Sequence, residues 1–193
     1  YTVMALRGRA YVANFGTVST PITFGATAVI DVTKPAAWMN VPTSAVAIIP
    51  VSIAIYMEAF GTSAQCEFNA LAGTGGSRTS GGTAVTPVNL RTDLPQSSVV
   101  QAYTGDATPV FVGSTAAKNE LFHDGAQFTI TKTAGSATAS AGDQYKWGWK
   151  LADDNEVPPV LVGAAQLAVH QGSNAGTGFI TVKWIEFPAS WLP

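Results

Sequence analysis

The chain is organised by alternation. No window of a dozen residues repeats apolar side chains cleanly at i, i+3, i+4 and i+7, and Gly, Thr, Pro and β-branched residues interrupt each stretch that could become a helix. Strand patterns follow one another instead. "TVMALRGRAYVANF" opens the sequence, "ATAVIDVT" follows, and residues 45–60, "AVAIIPVSIAIYMEAF", read as one long buried strand with Pro50 at a bulge or strand boundary. In "AQCEFNALAG" a period of two puts Cys66, Phe68 and Ala70 on one face and Gln65, Glu67 and Asn69 on the other. Later strands are expected in "TAVTPVNL", "TPVFVGS", "AQFTITKT", "DQYKWGWKL", "PPVLVGAAQLAVHQG" and "GFITVKWIEF". Turn clusters separate them: "HDG", "TAGSATASAG", "ADDNEVPP" and "GSNAGTG".

Many strands, Gly- and Pro-rich turns and no interleaved helices predict an all-β fold, an antiparallel β-sandwich or jelly roll of about eight to ten strands. A parallel α/β fold would need crossover helices that the pattern does not supply. We expect a single domain over 1–193, with a flexible Gly/Ser/Thr loop at 73–83 and a short C-terminal tail at 188–193.

Two aromatic patterns bear on function. In "KWGWK", Trp147 and Trp149 share one strand face, and Lys146, Gly148 and Lys150 share the other. The tryptophans then form either a core aromatic pair, the commoner arrangement, or a sugar-stacking platform. In the last strand Ile180, Val182 and Trp184 share a face, with Phe179, Ile185 and Phe187 on the other. Beyond it, the tail "PASWLP" carries Trp191 and Leu192 past Pro188, away from any obvious place in the core, as candidate contacts with a neighbouring subunit.

Composition narrows the function. Of 193 residues, 47% are hydrophobic and only 11% charged, against roughly 25% charged in soluble proteins generally. Such a surface calls for a covering partner. The net charge is -2, and without a run of Lys or Arg the chain is not expected to bind nucleic acid. Residues 45–60 fall short of the about 18–20 apolar residues of a spanning helix and contain Pro50, so no membrane anchor is expected. No charged region followed by an apolar one opens the sequence, and no signal peptide is expected.

Candidate chemistry is sparse. The glycine-rich "GTGGSRTSGGTAVTPVNL", residues 73–90, lacks the lysine and following helix of a P-loop, and Arg78 breaks a dinucleotide fingerprint at its third position. It is expected to be a loop leading into a strand, with Arg78 making at most an isolated ion pair. His123 precedes Asp124-Gly125, a hairpin-turn signal, and His170 ends an expected strand. There is no GxSxG elbow. "DDNE", residues 153–156, gathers oxygen ligands without calcium-loop spacing and reads as a solvated acidic turn. A single cysteine, Cys66, excludes an intrachain disulfide, and its alternating context points to a buried strand position. No catalytic residue, metal site or cofactor is expected, so the chain is not expected to be an enzyme.

The stretch "GGTAVTPVNL" together with the closing "LAVHQGSNAGTGFITVKWIEF" resembles capsid-associated jelly-roll proteins of tailed bacteriophages, a set with trimeric, tumour-necrosis-factor-like β-sandwiches. The resemblance covers roughly the second half, from Gly73 onward, and ends on Trp184 and Glu186. It implies a virion structural protein at the capsid surface, a decoration, cement or minor head subunit, acting as a homotrimer beside other capsid proteins. It carries no catalytic residues to transfer. A different class, a carbohydrate-binding β-sandwich, would place Trp147 and Trp149, or the expected loop aromatics Tyr103 and Phe122, against sugar.

Overall fold

Eight strands carry the fold: β1 (Ala10–Phe15), β2 (Ala37–Val41), β3 (Val46–Ala59), β4 (Gln65–Thr74), β5 (Lys118–Gln127), β6 (Lys146–Lys150), β7 (Ala165–Gly172) and β8 (Thr177–Pro188). The computed structural model describes residues 1–24, 29–59, 65–75, 77–94, 96–105, 110–112, 118–127, 130–133, 136–139, 146–151, 157–172 and 176–193. Pairing is antiparallel and nested: β1 lies against β8, β2 against β7, β3 against β6 and β4 against β5. β8 also pairs with β3, and β7 with β4. Two sheets result, ordered β6-β3-β8-β1 and β5-β4-β7-β2. Short segments extend them: Val88–Asn89 beyond β1, Ile22–Thr23 on β8, Leu161–Val162 on β3, and Gln101–Thr104 followed by Ala84–Val85 beyond β2. The chain is thus an all-β sandwich.

The two sheets close over one core. Tyr11, Phe15, Ile53, Val182 and Trp184 of the first sheet meet Met39, Phe68, Leu167 and Val169 of the second. Phe68 on β4 reaches Trp147 on β6 across the gap, with ring centroids 4.9 Å apart. Burying each such side chain contributes about 1.5–3 kcal/mol. β8 alternates as its sequence predicts, with Ile180, Val182 and Trp184 buried and Phe179, Thr181 and Lys183 half-buried between them.

β3 departs from simple alternation at Pro50. Its register on β8 pairs Lys183 with Ser52 but Trp184 with Pro50, leaving Val51 as the extra residue of a bulge. Ile48 and Pro50 point inward before the bulge, and Ile53, Ile55 and Met57 after it. The inward face changes parity there, so the sequence shows no single alternation across residues 45–60. A bulge also accommodates a proline that cannot donate to the ladder.

Sequence expectations are corrected at several points. The opening "TVMALRGRAYVANF" begins as a short α-helix, Thr2–Leu6, before β1. The described part of "ATAVIDVT", residues 29–33, is not a strand. Within "TAGSATASAG", expected as a turn cluster, Ser136–Ala139 pair with Ile130–Thr133. Asp124-Gly125 does not form a hairpin turn: His123, Asp124 and Gly125 lie inside β5, opposite Asn69, Phe68 and Glu67. Such a dipeptide turns the chain when its flanks pair with each other, and here both flanks pair with β4. The loop at 73–83 is shorter than expected, because Gly73 and Thr74 end β4 and Ser77–Ser80 pair with Val110–Val112. The bends fall at glycines with positive φ, at Gly75 (71°) and at Gly81 and Gly82 (72° and 70°). Tyr103 and Phe122 are strand residues, in Gln101–Thr104 and β5, instead of loop aromatics.

Candidate functional site

The outer face of the first sheet carries the main cavity among the described residues. Its geometry follows from register alone. Lys146, Tyr56 and Phe179 stand abreast across β6, β3 and β8. One step along, Gly148, Ala54 and Thr181 form the next row, and Asn14 of β1 continues it. Lys150, Ser52 and Lys183 form the third. Side chains two residues apart on a strand are spaced about 6.7 Å and neighbouring strands about 4.8 Å. A floor of small residues therefore runs between two taller walls about 13 Å apart.

This trough encloses about 710 Å³, within the 300–1,000 Å³ range typical of ligand sites. One wall is aromatic: Tyr56 and Phe179 stack with centroids 6.4 Å apart and planes inclined by 30°. The Lys146 ammonium sits 5.9 Å from the Tyr56 ring centroid, in cation-π range. The opposite wall presents Lys150 and Lys183. Thr181 donates its hydroxyl to Asn14 Oδ1 at 3.1 Å, which fixes a polar group beside the floor. The described lining contains lysines and no carboxylate. Gly148 is required for packing as well as for the trough, since a Cβ there would lie 2.7 Å from the Ile53 carbonyl oxygen.

The outer face of the second sheet is built from similar residues but is closed. Trp38 is only 2% exposed there. Its Nε1 donates to Gln166 Oε1 at 2.8 Å, and its ring packs on Tyr103 with centroids 5.8 Å apart. Arg78 caps the pair 4.3 Å from the Tyr103 centroid. Arg78 thus makes a cation-π contact in place of the isolated ion pair its sequence context suggested.

The structure separates the residues singled out in the sequence. Trp147 and Trp149 are 4% and 2% exposed and belong to the core, so neither presents a ring to a sugar. Trp191 is 54% exposed and lies in a 3-10 turn, Ala189–Trp191, where it stacks on Phe187 at 6.4 Å with planes 17° apart. Leu192, which follows it, is half-buried. Cys66 is buried, accepts a hydrogen bond from Gln171 Nε2 at 3.2 Å, and lies 3.6 Å from Met57 Sδ. Burial pushes its thiol up to about 11, so it is not a nucleophile at neutral pH.

His123 is exposed between Glu67 and Glu120, with ring nitrogens 3.4 and 3.7 Å from their carboxylates. His170 is buried within β7, its Nε2 3.4 Å from the Val32 carbonyl oxygen. Residues 153–156, the acidic turn, lie outside the described residues. Among the described residues no group of three or more His, Cys, Asp or Glu is placed to hold a metal ion, and no helix is long and apolar enough to cross a membrane.

The sequence pattern did not lead to Tyr56, Phe179 and Lys183. Each alternates with core residues in its own strand, so the outward positions were legible one strand at a time. Their meeting depends on the order β6-β3-β8, which no single strand encodes. A scan against protein-family models found none that matches the chain, and a search of curated proteins found no match.

Proposed function

We propose that the chain is a virion structural protein of a tailed bacteriophage, a capsid decoration, cement or minor head subunit that works as a homotrimer through packing and not through chemistry. The nested pairing of first strand with last and second with seventh supports a jelly roll of the tumour-necrosis-factor-like kind.

The observation that carries the assembly role is Trp191. A tryptophan stacked on Phe187 yet 54% exposed costs a monomer hydrophobic surface without return, and a neighbouring subunit covering it recovers that surface. Leu192, half-buried, follows it in the chain as a second candidate contact. The low charge content suits a subunit that buries much of itself against copies and other capsid proteins. At symmetry positions on a particle, several modest contacts add up to tight attachment.

The test is solution mass by light scattering across a dilution series, for the wild type and for Trp191→Ala. A trimer that the substitution shifts toward monomer supports the proposal. A wild-type monomer at every concentration contradicts it.

A further inference from the structure

We propose that Trp191 of one copy seats in a cleft at the open edge of the next copy's sandwich, so that subunits join head to tail and close into a ring. This contact presupposes the trimer proposed above and supplies the second surface that a trimer needs. A twofold pair can join one patch to itself, whereas a ring of three joins two different patches, each present once on every subunit. Trp191 is the first.

The second lies between the turn closed by the backbones of Thr17 and Thr20, just after β1, and the segment 83–88, where a cleft encloses about 460 Å³. Ile22 and Val85 pack against the core there yet are only half-buried, and Val88, which lines the cleft with them, is 54% exposed. The edge of the core is thus open to an apolar guest. Thr17, Thr20 and Thr86 also line it and offer hydroxyl oxygens to an indole N–H. The described lining carries no charged side chain, and neither does "PASWLP", so seating the tail desolvates no ion. The trough is instead walled by lysines, whose desolvation opposes an apolar guest.

A chain cannot fill its own cleft. Ile22 pairs with Gly178 at the start of β8, and the tail leaves from Pro188 at its end. At about 3.3 Å per residue, this 12-residue strand holds the two roughly 35 Å apart. Ala189 donates its N–H to the Ala45 carbonyl oxygen at 2.8 Å, which ties the tail to its own end. The guest is then the tail of another copy. One seated tryptophan removes about 150–250 Å² from water, less than the roughly 800 Å² per partner of a standard interface. Closure offsets the shortfall, because each subunit in a ring is held at both patches at once.

Light scattering and cross-linking of the full chain test the contact. Ala84→Arg, which fills the cleft from an exposed strand position, should raise the concentration at which the trimer dissociates about tenfold or more, and Ala84→Ser should leave it unchanged. Val88→Arg repeats the block should Ala84→Arg fail to fold, with thermal midpoints reporting folding. Ala84→Cys and Leu192→Cys, mixed and treated with a short bismaleimide, should link into dimers while each variant alone should not, and Cys66 is buried and adds no background. Trimers that survive both arginine substitutions, or mixtures that do not cross-link, would overturn this contact and leave the assembly reading standing. Cross-links formed by either variant alone would put one patch on both sides of the contact and overturn it equally. A wild-type monomer at every concentration would remove the assembly reading and this contact together.

Discussion

The outer faces of the two sheets use the same ingredients to opposite ends. Each sets a cation over a tyrosine and a second aromatic beside it: Arg78, Tyr103 and Trp38 on one, Lys146, Tyr56 and Phe179 on the other. On the second sheet the stack is sealed, Trp38 is 2% exposed and its indole N–H is satisfied by Gln166. On the first sheet Tyr56 remains 41% exposed above a floor of glycine and alanine. What differs is how deeply each stack is buried. A deeply buried aromatic cluster contributes more to folding than one that stays partly exposed.

Truncation should separate the faces most strongly. Trp38→Ala should cost about 3–5 kcal/mol in denaturant unfolding, because it empties a closed site and strands Gln166. Tyr56→Ala in the same assay should cost less than about 1 kcal/mol, being a surface change. Equal losses at the two positions would erase the distinction.

The interior between the faces gives a pH-dependent control. Burial raises the Cys66 thiol from 9.0 to about 11, so the folded state holds its proton longer than the unfolded one. The associated stability is complete below pH 9 and is lost as pH rises toward 11, by up to ~2–3 kcal/mol. An unfolding series over that range should show the fall, and Cys66→Ala should flatten it. Gly148→Ala tests the trough floor with a smaller effect, a loss of ~1–2 kcal/mol from the 2.7 Å approach to Ile53. Trp191→Ala should leave unfolding within ~0.5 kcal/mol per monomer while lowering the solution mass.

Strand content and facing were largely legible from alternation. Cys66, Phe68 and Ala70 face inward as their period of two requires, and Trp147 and Trp149 take the core side of "KWGWK" while its lysines take the other. Pro50 marked its bulge because proline cannot complete a ladder. Misreadings arose where local signals compete with distant pairing. Asp124-Gly125 carries strong turn chemistry, yet β4 offered a full partner ladder and the segment stayed extended. The glycine-rich stretch hid the strand Ser77–Ser80 for the same reason, since its partner at Val110–Val112 is remote in sequence. The trough was the least legible element, because three strands far apart in the chain must align before Tyr56, Phe179 and the lysines share a wall.

Hydroxyl-radical footprinting across a concentration series reads the covering of all three aromatic sites at once. Trp38 should stay protected and Tyr56 reactive at every concentration, while Trp191 should be reactive when dilute and become protected as subunits associate. Protection of Tyr56 on association, with Trp191 still reactive, would contradict this account by placing self-assembly on the outer face of the first sheet.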